Sequence, residues 1–359
     1  MAIRKKRGII LAAVVLLLAL FVLDVGFKKG DLFETFGIQF VNDTKTEAHW
    51  EAQRGVQATS VREVSVEEPN IQELLLNGEG GNITVTRAPD TTIRLTYTVT
   101  VSAADQAAAS RKAEAVQVTQ RIADGQVKFA IAEEGGRSVD YDDIALHYAL
   151  QLPEGVKLNV ENSGGRIHIT GVSSDIDAKV KAGMLEIAGV TGRVAIDATN
   201  GTVFASDIAG ELELTNLYGE ADIEDMKGSL TVNSDSARTF LTGIQGSVSG
   251  QTRTGSMLLR EINGSVKLAS VGTELQLQRI RGDLDAAAEL GLVQLVLPEA
   301  EGYSLDLSAS GGEIRSHLPL AIQEPKNDDE PVRMNGTIGD GAWKTKVHAI
   351  SASITVYAK

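Results

Sequence analysis

The chain has 359 residues, no cysteine and a formal net charge of −14. Without cysteine there are no disulfides, thiolate metal sites or cysteine nucleophiles, and nucleic-acid binding is disfavoured because it calls for a basic stripe. Only 4% of residues are aromatic and 36 are glycine, which points to thin, repetitive β-structure rather than a thick globular core.

At the N-terminus, Arg4, Lys5, Lys6 and Arg7 precede an uncharged run from Gly8 to Leu23. With Val25, Gly26 and Phe27, the apolar stretch reaches the roughly 20 residues that cross a bilayer as a helix. The basic cluster places its own end in the cytoplasm. The reading is a single-pass membrane anchor over residues 1–30, with the main domain extracytoplasmic. A cleaved signal peptide has a similar outline, although no small-x-small site precedes Phe27. Beyond residue 30 the chain keeps 28 basic and 47 acidic residues, a net of −19. Residues 31–60 are polar and aperiodic, as a juxtamembrane linker would be.

Residues 61–152 read as a β-rich cap. "NITVTRAPDTTIRLTYTVTVS" alternates with period two, as strands do. "AADQAAASRKAEAVQ" (103–117) is rich in helix formers and predicts a short helix. "GQVKFAIAEEGGRSVDYDDIALHYALQLPEG" adds two strands around an acidic loop, which reads as a solvated connection.

From Gly171 to Val296 the chain divides without a gap into seven units of eighteen residues. Two of them are GVTGRVAIDATNGTVFAS (189–206) and DIAGELELTNLYGEADIE (207–224); residues 153–170 form a degenerate eighth. Position 2 is always apolar (Val190, Ile208, Met226), position 4 is glycine in six units (Gly192, Gly210, Gly228) and position 6 is always Ile, Val or Leu. Apolar residues two apart are strand signals, and the polar, Gly-containing stretches between them are turns. Units this small bury a core only by stacking. The spacing predicts an all-β, right-handed parallel β-solenoid with 18-residue rungs over 153–296. Glycines at positions 4 and 13 are expected at tight turns, with positive φ. Residues 297–359 read as irregular rungs and a C-terminal cap around the polar loop "AIQEPKNDDEPVR". Both flanks are expected to shield the open strand edges of the stack.

The repeat excludes several chemistries. Position 14 is too polar for a hexapeptide solenoid. The turns lack the carboxylates that calcium-binding nonapeptide rolls require. A phosphate loop opens into a helix, whereas GVTGRV opens into an alternating strand. No cofactor or metal is expected.

Position 5, with Asp175, Arg193 and Glu211, alternates in sign along the stack, so neighbouring rungs should attract. Position 16 should face outward, yet it holds Phe204, Phe240 and Leu258. Exposed apolar groups mark contact sites; the competing reading is that the N-terminal strands or helix cover them. The histidines (His49, His147, His168, His317, His348) are scattered, and the pairs Asp222/Glu224 and Glu211/Glu213 read as solvated strand faces. No nucleophile motif appears, and the chain reads as non-catalytic.

The G-x-[VIL]-x-[VIL] strands, such as Gly192-Arg193-Val194-Ala195-Ile196, resemble those of a broad bacterial family named putative adhesin. This family, of unknown function, includes LiaG-like extracytoplasmic β-solenoid proteins. "NSGGRIHITG" (162–171), "LPEAEGYSLDLSASGGEI" (297–314) and "GTIGDGAWKTKVHAISASITVY" carry the same resemblance, over roughly 61–359. It implies a fold and a place in the cell envelope, with an envelope protein or cell-wall polymer as partner, and brings no catalytic or binding residues. It also implies an alternative role as an accessory to envelope-stress signalling. A polysaccharide-acting solenoid enzyme is a more distant alternative.

Overall fold

The computed structural model describes residues 55–68, 70–133, 143–298, 302–325, 327 and 330–358. The expected anchor, most of the expected linker and the acidic loop after Glu133 lie outside the described residues. Among the described residues no helix is long and apolar enough to cross a membrane. Val56–Lys359 forms one compact unit.

The described chain is all-β apart from one short helix, and its strands join in an open, solenoid-like sheet that does not close into a barrel. Two parallel ladders make up its body. In the front ladder, Lys157–Asn162, Ile176–Lys181, Val194–Thr199 and Leu212–Leu217 follow one another. In the rear ladder, Arg166–Thr170, Met184–Thr191, Thr202–Ala209 and Glu220–Glu224 do the same. Each residue of the repeat lies beside the one eighteen places on: Ile176 faces Val194, which faces Leu212, which faces Leu230. Further along, Leu230–Thr242, Val248–Asn263 and Val266–Arg281 are long enough to serve both ladders. Leu284–Glu289 then continues the front ladder and Leu292–Leu297 the rear one.

The core lies between the ladders, because alternation turns every second side chain inward. In the unit 189–206, Val190, Val194, Ile196, Val203 and Ala205 are all buried, as their positions predict. One inward position is polar over part of the stack. Position 10 holds Asn216, Ser234, Thr252 and Ser270, all buried. Ser234 Oγ and Thr239 Oγ1 lie 3.1 Å apart, and Thr252 Oγ1 and Thr273 Oγ1 3.5 Å apart. This seam of small polar groups has no counterpart in the sequence reading.

Three bends turn the chain within a rung. Position 4 behaves as expected: Gly228 has φ +135°, and a Cβ there would lie 1.8 Å from the carbonyl oxygen of Gly210. Position 13 does so only in part: Gly255 has φ +110°, but Gly183, Gly201, Gly219 and Gly291 have no positive φ. Gly219 has no positive φ; it is small because a Cβ would come within 2.3 Å of Gly201 O. The left-handed residue is at position 12, one place earlier, and is often not glycine: Ala182, Asn200, Tyr218, Ser236, Thr254 and Leu290 have φ between +51° and +59°. Position 1 takes the same conformation, in Asp207, Asp225, Glu261 and Arg279 among others.

The ends depart from chain order. The last strands, Trp343–Ile350 and Ser353–Ala358, are not terminal in space. Trp343–Ile350 lies between Leu284–Glu289 and Tyr303–Ser310, and Ser353–Ala358 between Leu292–Leu297 and Ile314–Ser316. Likewise Glu73–Asn77 lies between Gln126–Glu133 and Lys157–Asn162, and Asn82–Arg87 between Ile144–Leu152 and Arg166–Thr170. Antiparallel strands close three of the four ladder ends: Val116–Ala123, Ile93–Ala103 with Val56–Val66, and Val332–Ile338 with Ile322–Gln323. The fourth ends on the three residues Ile314–Ser316. The three-residue strand Ile314–Ser316 leaves little edge for another chain to extend.

The helix, α1, spans Gln106–Ala115 and begins where Asp105 accepts a hydrogen bond from the backbone N–H of Ala108 at 2.8 Å. That cap satisfies one of the free donors of the first turn. Its buried Ala109 and Ala113 face the strands Val56–Val66 and Ile93–Ala103.

Candidate interaction surface

Position 16 forms one straight row on the outside of the rear ladder. In register, it runs His168, Glu186, Phe204, Asp222, Phe240, Leu258, Gln276. Helix α1 lies against other strands and leaves Phe204 41% exposed; Phe240 and Leu258 are half-buried. Phe204 and Phe240 stand two rungs apart, about 10 Å at the usual strand spacing. Between them is Asp222. Loss of hydration raises its carboxyl pKa above the usual carboxylate range, and the neighbouring charge of Glu220 adds to the shift; Arg260 opposes it. Asp222 is therefore part of the stripe rather than a freely solvated group. Glu220 itself is paired with Arg238 at 3.0 Å. One end of the row is polar: His168 Nδ1 lies 3.2 Å from Glu186.

The front ladder carries the charges. Lys157 contacts Asp177 at 2.6 Å and Glu73 at 3.6 Å, and Arg193 contacts Asp177 at 3.4 Å and Glu213 at 2.9 Å. Glu73 also accepts from the side-chain amides of Gln126 and Asn159. The Lys157 ammonium is held above its ordinary pKa, chiefly by its hydrogen bond to Asp177. The expected attraction between neighbouring rungs is present, but its partners differ. Arg193 reaches Asp177 and Glu213 at position 7, not Asp175 and Glu211 at position 5. Asp175 instead accepts the backbone N–H of Arg193 at 2.8 Å. The reason is direction: a long side chain leaving an outward position spans to the flanking outward row, whereas the shorter aspartate reaches only the adjacent backbone. Exposed pairs of this kind contribute about 0–1 kcal/mol each.

The described histidines do not converge. His317 stacks on Tyr357 with ring centres 5.1 Å apart, His348 Nδ1 lies 2.5 Å from Ser308 Oγ, and His147 stands opposite Asn82. His49 is outside the described residues. Among the described residues no three His, Asp or Glu side chains gather as metal ligands would. Sequence reasoning missed a second set of exposed apolar groups: Tyr218, Val271, Leu290 and Ile350 are 63%, 40%, 56% and 57% exposed. They fall at positions 11 and 12 or on the end rung, where no column of like residues draws attention to them.

A family model, Toastrack DUF4097, matches residues 71–357. The chain belongs to the Toastrack DUF4097 family. Among solved structures, this Toastrack chain is similar to a putative adhesin from Parabacteroides merdae, at 9% identity over 84% of this chain and 98% of the other, with a TM-score of 0.34. It is also similar to a putative adhesin from Bacteroides fragilis, at 11% identity over 83% and 97%, with a TM-score of 0.33. A putative cell adhesion protein from Clostridium sporogenes matches at 12% identity over 84% and 100%, with a TM-score of 0.22. No curated protein matches the chain.

Proposed function

We propose that this Toastrack protein is a non-catalytic binding module of the bacterial cell envelope. Residues 1–30 anchor it in the membrane, and a right-handed stack of eighteen-residue rungs presents it outside the cell. The stripe Phe204–Asp222–Phe240–Leu258 is its contact surface for an envelope protein. The observation that carries this reading is the exposure of Phe204 in an in-register row with the half-buried Phe240 and Leu258. Exposed apolar patches on soluble domains mark interaction sites, and aromatic side chains dominate the energy of such contacts. The anchor rests on the basic cluster Arg4–Arg7 and the apolar run that follows it.

Cross-linking and pull-down from envelope extracts with the full-length chain test the reading. Wild type should retain a discrete envelope protein, and the double variant Phe204→Ala/Phe240→Ala should lose it while keeping its circular dichroism spectrum. A reporter enzyme active only outside the cytoplasm, fused after Lys359, should be active. Equal retention by the double variant would refute the contact surface; an inactive reporter would refute the location.

A further inference from the structure

The front ladder carries a different feature from the stripe. Two adjoining depressions on its outer side, of about 430 and 360 Å³, share Asn233, Gln251, Ala269 and Ala287. These four are consecutive in register, and His348 follows them. The trough therefore runs along the stacking direction, across about 19 Å from Asn233 to His348 at four strand spacings. Gly250 is among its lining residues. Other rungs put Ile196, Leu214, Val232 or Leu268 into the core at that position, whereas Gly250 has no side chain. A Cβ there would meet Val232 O at 2.1 Å. The glycine thus fits the close approach of the neighbouring rung's backbone.

The lining sets the chemistry of an occupant. The exposed Asn233 and Gln251 amides are engaged by no other described residue, so each offers donors and an acceptor outward. Most of the charges along the trough are matched, since Arg253 holds Asp235 at 3.1 Å and Lys267 lies directly beside Asp285, and Glu289 adds one further acid. The extra acid disfavours an anionic ligand there. A peptide strand finds no backbone partner either, because strand addition needs a sheet edge and this is a sheet face whose amides are already paired along the ladders. The exposed Ala269 and Ala287 supply a flat apolar floor, bounded by Val271 and Ile350. The occupant these features fit is long, uncharged and rich in hydroxyls, with apolar C–H faces.

We propose that the trough over Asn233, Gln251, Ala269 and Ala287 binds a linear, extended, uncharged polysaccharide along the stacking axis. Sugar hydroxyls bond the two amides, and ring C–H faces lie on the alanines. This site is independent of the Phe204 stripe, and each can fail without the other.

Calorimetry on the full-length chain tests it, with two probes: the β-1,4-linked hexamers of N-acetylglucosamine and of glucose. At least one hexamer should bind. Asn233→Ala/Gln251→Ala should weaken that binding about ten-fold, the loss of two neutral hydrogen bonds. Ala269→Arg, a change at an exposed side chain, should block the trough and abolish binding, whereas Phe204→Ala should leave it unchanged. Three results would overturn the proposal: neither hexamer binding at millimolar concentration, binding indifferent to the trough variants, or tighter binding of polygalacturonate than of the neutral hexamers.

Discussion

Substitution of Gly228 by alanine tests the glycine stack that lets one rung sit on the next. Gly228 has φ +135°, a region nearly closed to residues with a Cβ, and the added atom would lie 1.8 Å from Gly210 O and 2.8 Å from Gly210 C. Neither contact is with a flexible side chain, so relief requires the rungs to separate or the peptide to rotate. Holding alanine in such a conformation costs about 1–3 kcal/mol. Moving apart strains two rung-to-rung bonds, Gly228 N–H to Gln245 O and Gly210 N–H to Lys227 O, both 2.9 Å. Each contributes roughly 0.5–1.5 kcal/mol net, so the total loss is about 2–6 kcal/mol. At roughly 2 °C per kcal/mol for a chain of this length, Tm should fall by about 4–12 °C. The control is Gly171→Ala. Gly171 has φ +65° and nothing within 4 Å of an added Cβ, and Asp207 and Asp225 adopt the same conformation at the same position. Its cost should stay near 1–2 kcal/mol. Thermal and urea unfolding of the full-length chain followed by circular dichroism decide the matter. Equal midpoints for the two variants would refute the argument that rung contact, rather than local backbone freedom, selects glycine at position 4.

Removal of residues 343–359 should do far more than trim a tail. The cut extracts a strand pair from between two others and uncovers Leu284, Ala286, Val293 and Leu295, all buried in the intact chain. Limited proteolysis should show rapid digestion from about residue 284 onward, and a protease-resistant product extending to residue 342 would contradict the inserted order. Asp222→Asn should stabilise the protein at pH 7. A folded-state carboxyl pKa raised by lost hydration makes the charged form a cost above that pKa, and the cost vanishes once pH falls below the unfolded value of about 3.9. Urea midpoints measured from pH 7 down to pH 3 should therefore converge for the two proteins, and a variant less stable at pH 7 would refute this. Arg94 holds the Asp90 carboxyl down at about 2 through their hydrogen bonds. Arg94→Leu should return it toward 3.8, read by NMR titration of the Asp90 side chain; an unmoved titration would assign the shift to the Thr92 backbone instead.

The repeat was legible because a stack needs the same thing of every rung. Val194, Leu212 and Leu230 answer one demand for an inward aliphatic group, so the demand shows as a column. α1 was legible for a local reason: Asp105 and the alanine-rich run after it favour a capped helix whatever lies nearby. Phe204, Phe240 and Leu258 were conspicuous as apolar residues in an outward column, but a column cannot tell what covers it. Tyr218 and Leu290 were missed because position 12 tolerates many residues, its left-handed bend being imposed by the rungs on either side.

What the sequence determined by itself is the eighteen-residue period, the inward and outward alternation, the glycines of position 4 and the short helix. Each depends on neighbours along the chain or on identical neighbours above and below. What only the tertiary structure decided involves distant, unlike segments. It threads residues 343–358 between two earlier strand pairs and pairs Arg193 with Asp177 and Glu213. It also partly desolvates Asp222 between Phe204 and Phe240 and aligns Asn233, Gln251, Ala269 and Ala287 along one trough. Those outcomes turn on which surfaces meet in space, and no periodicity in the chain records that choice.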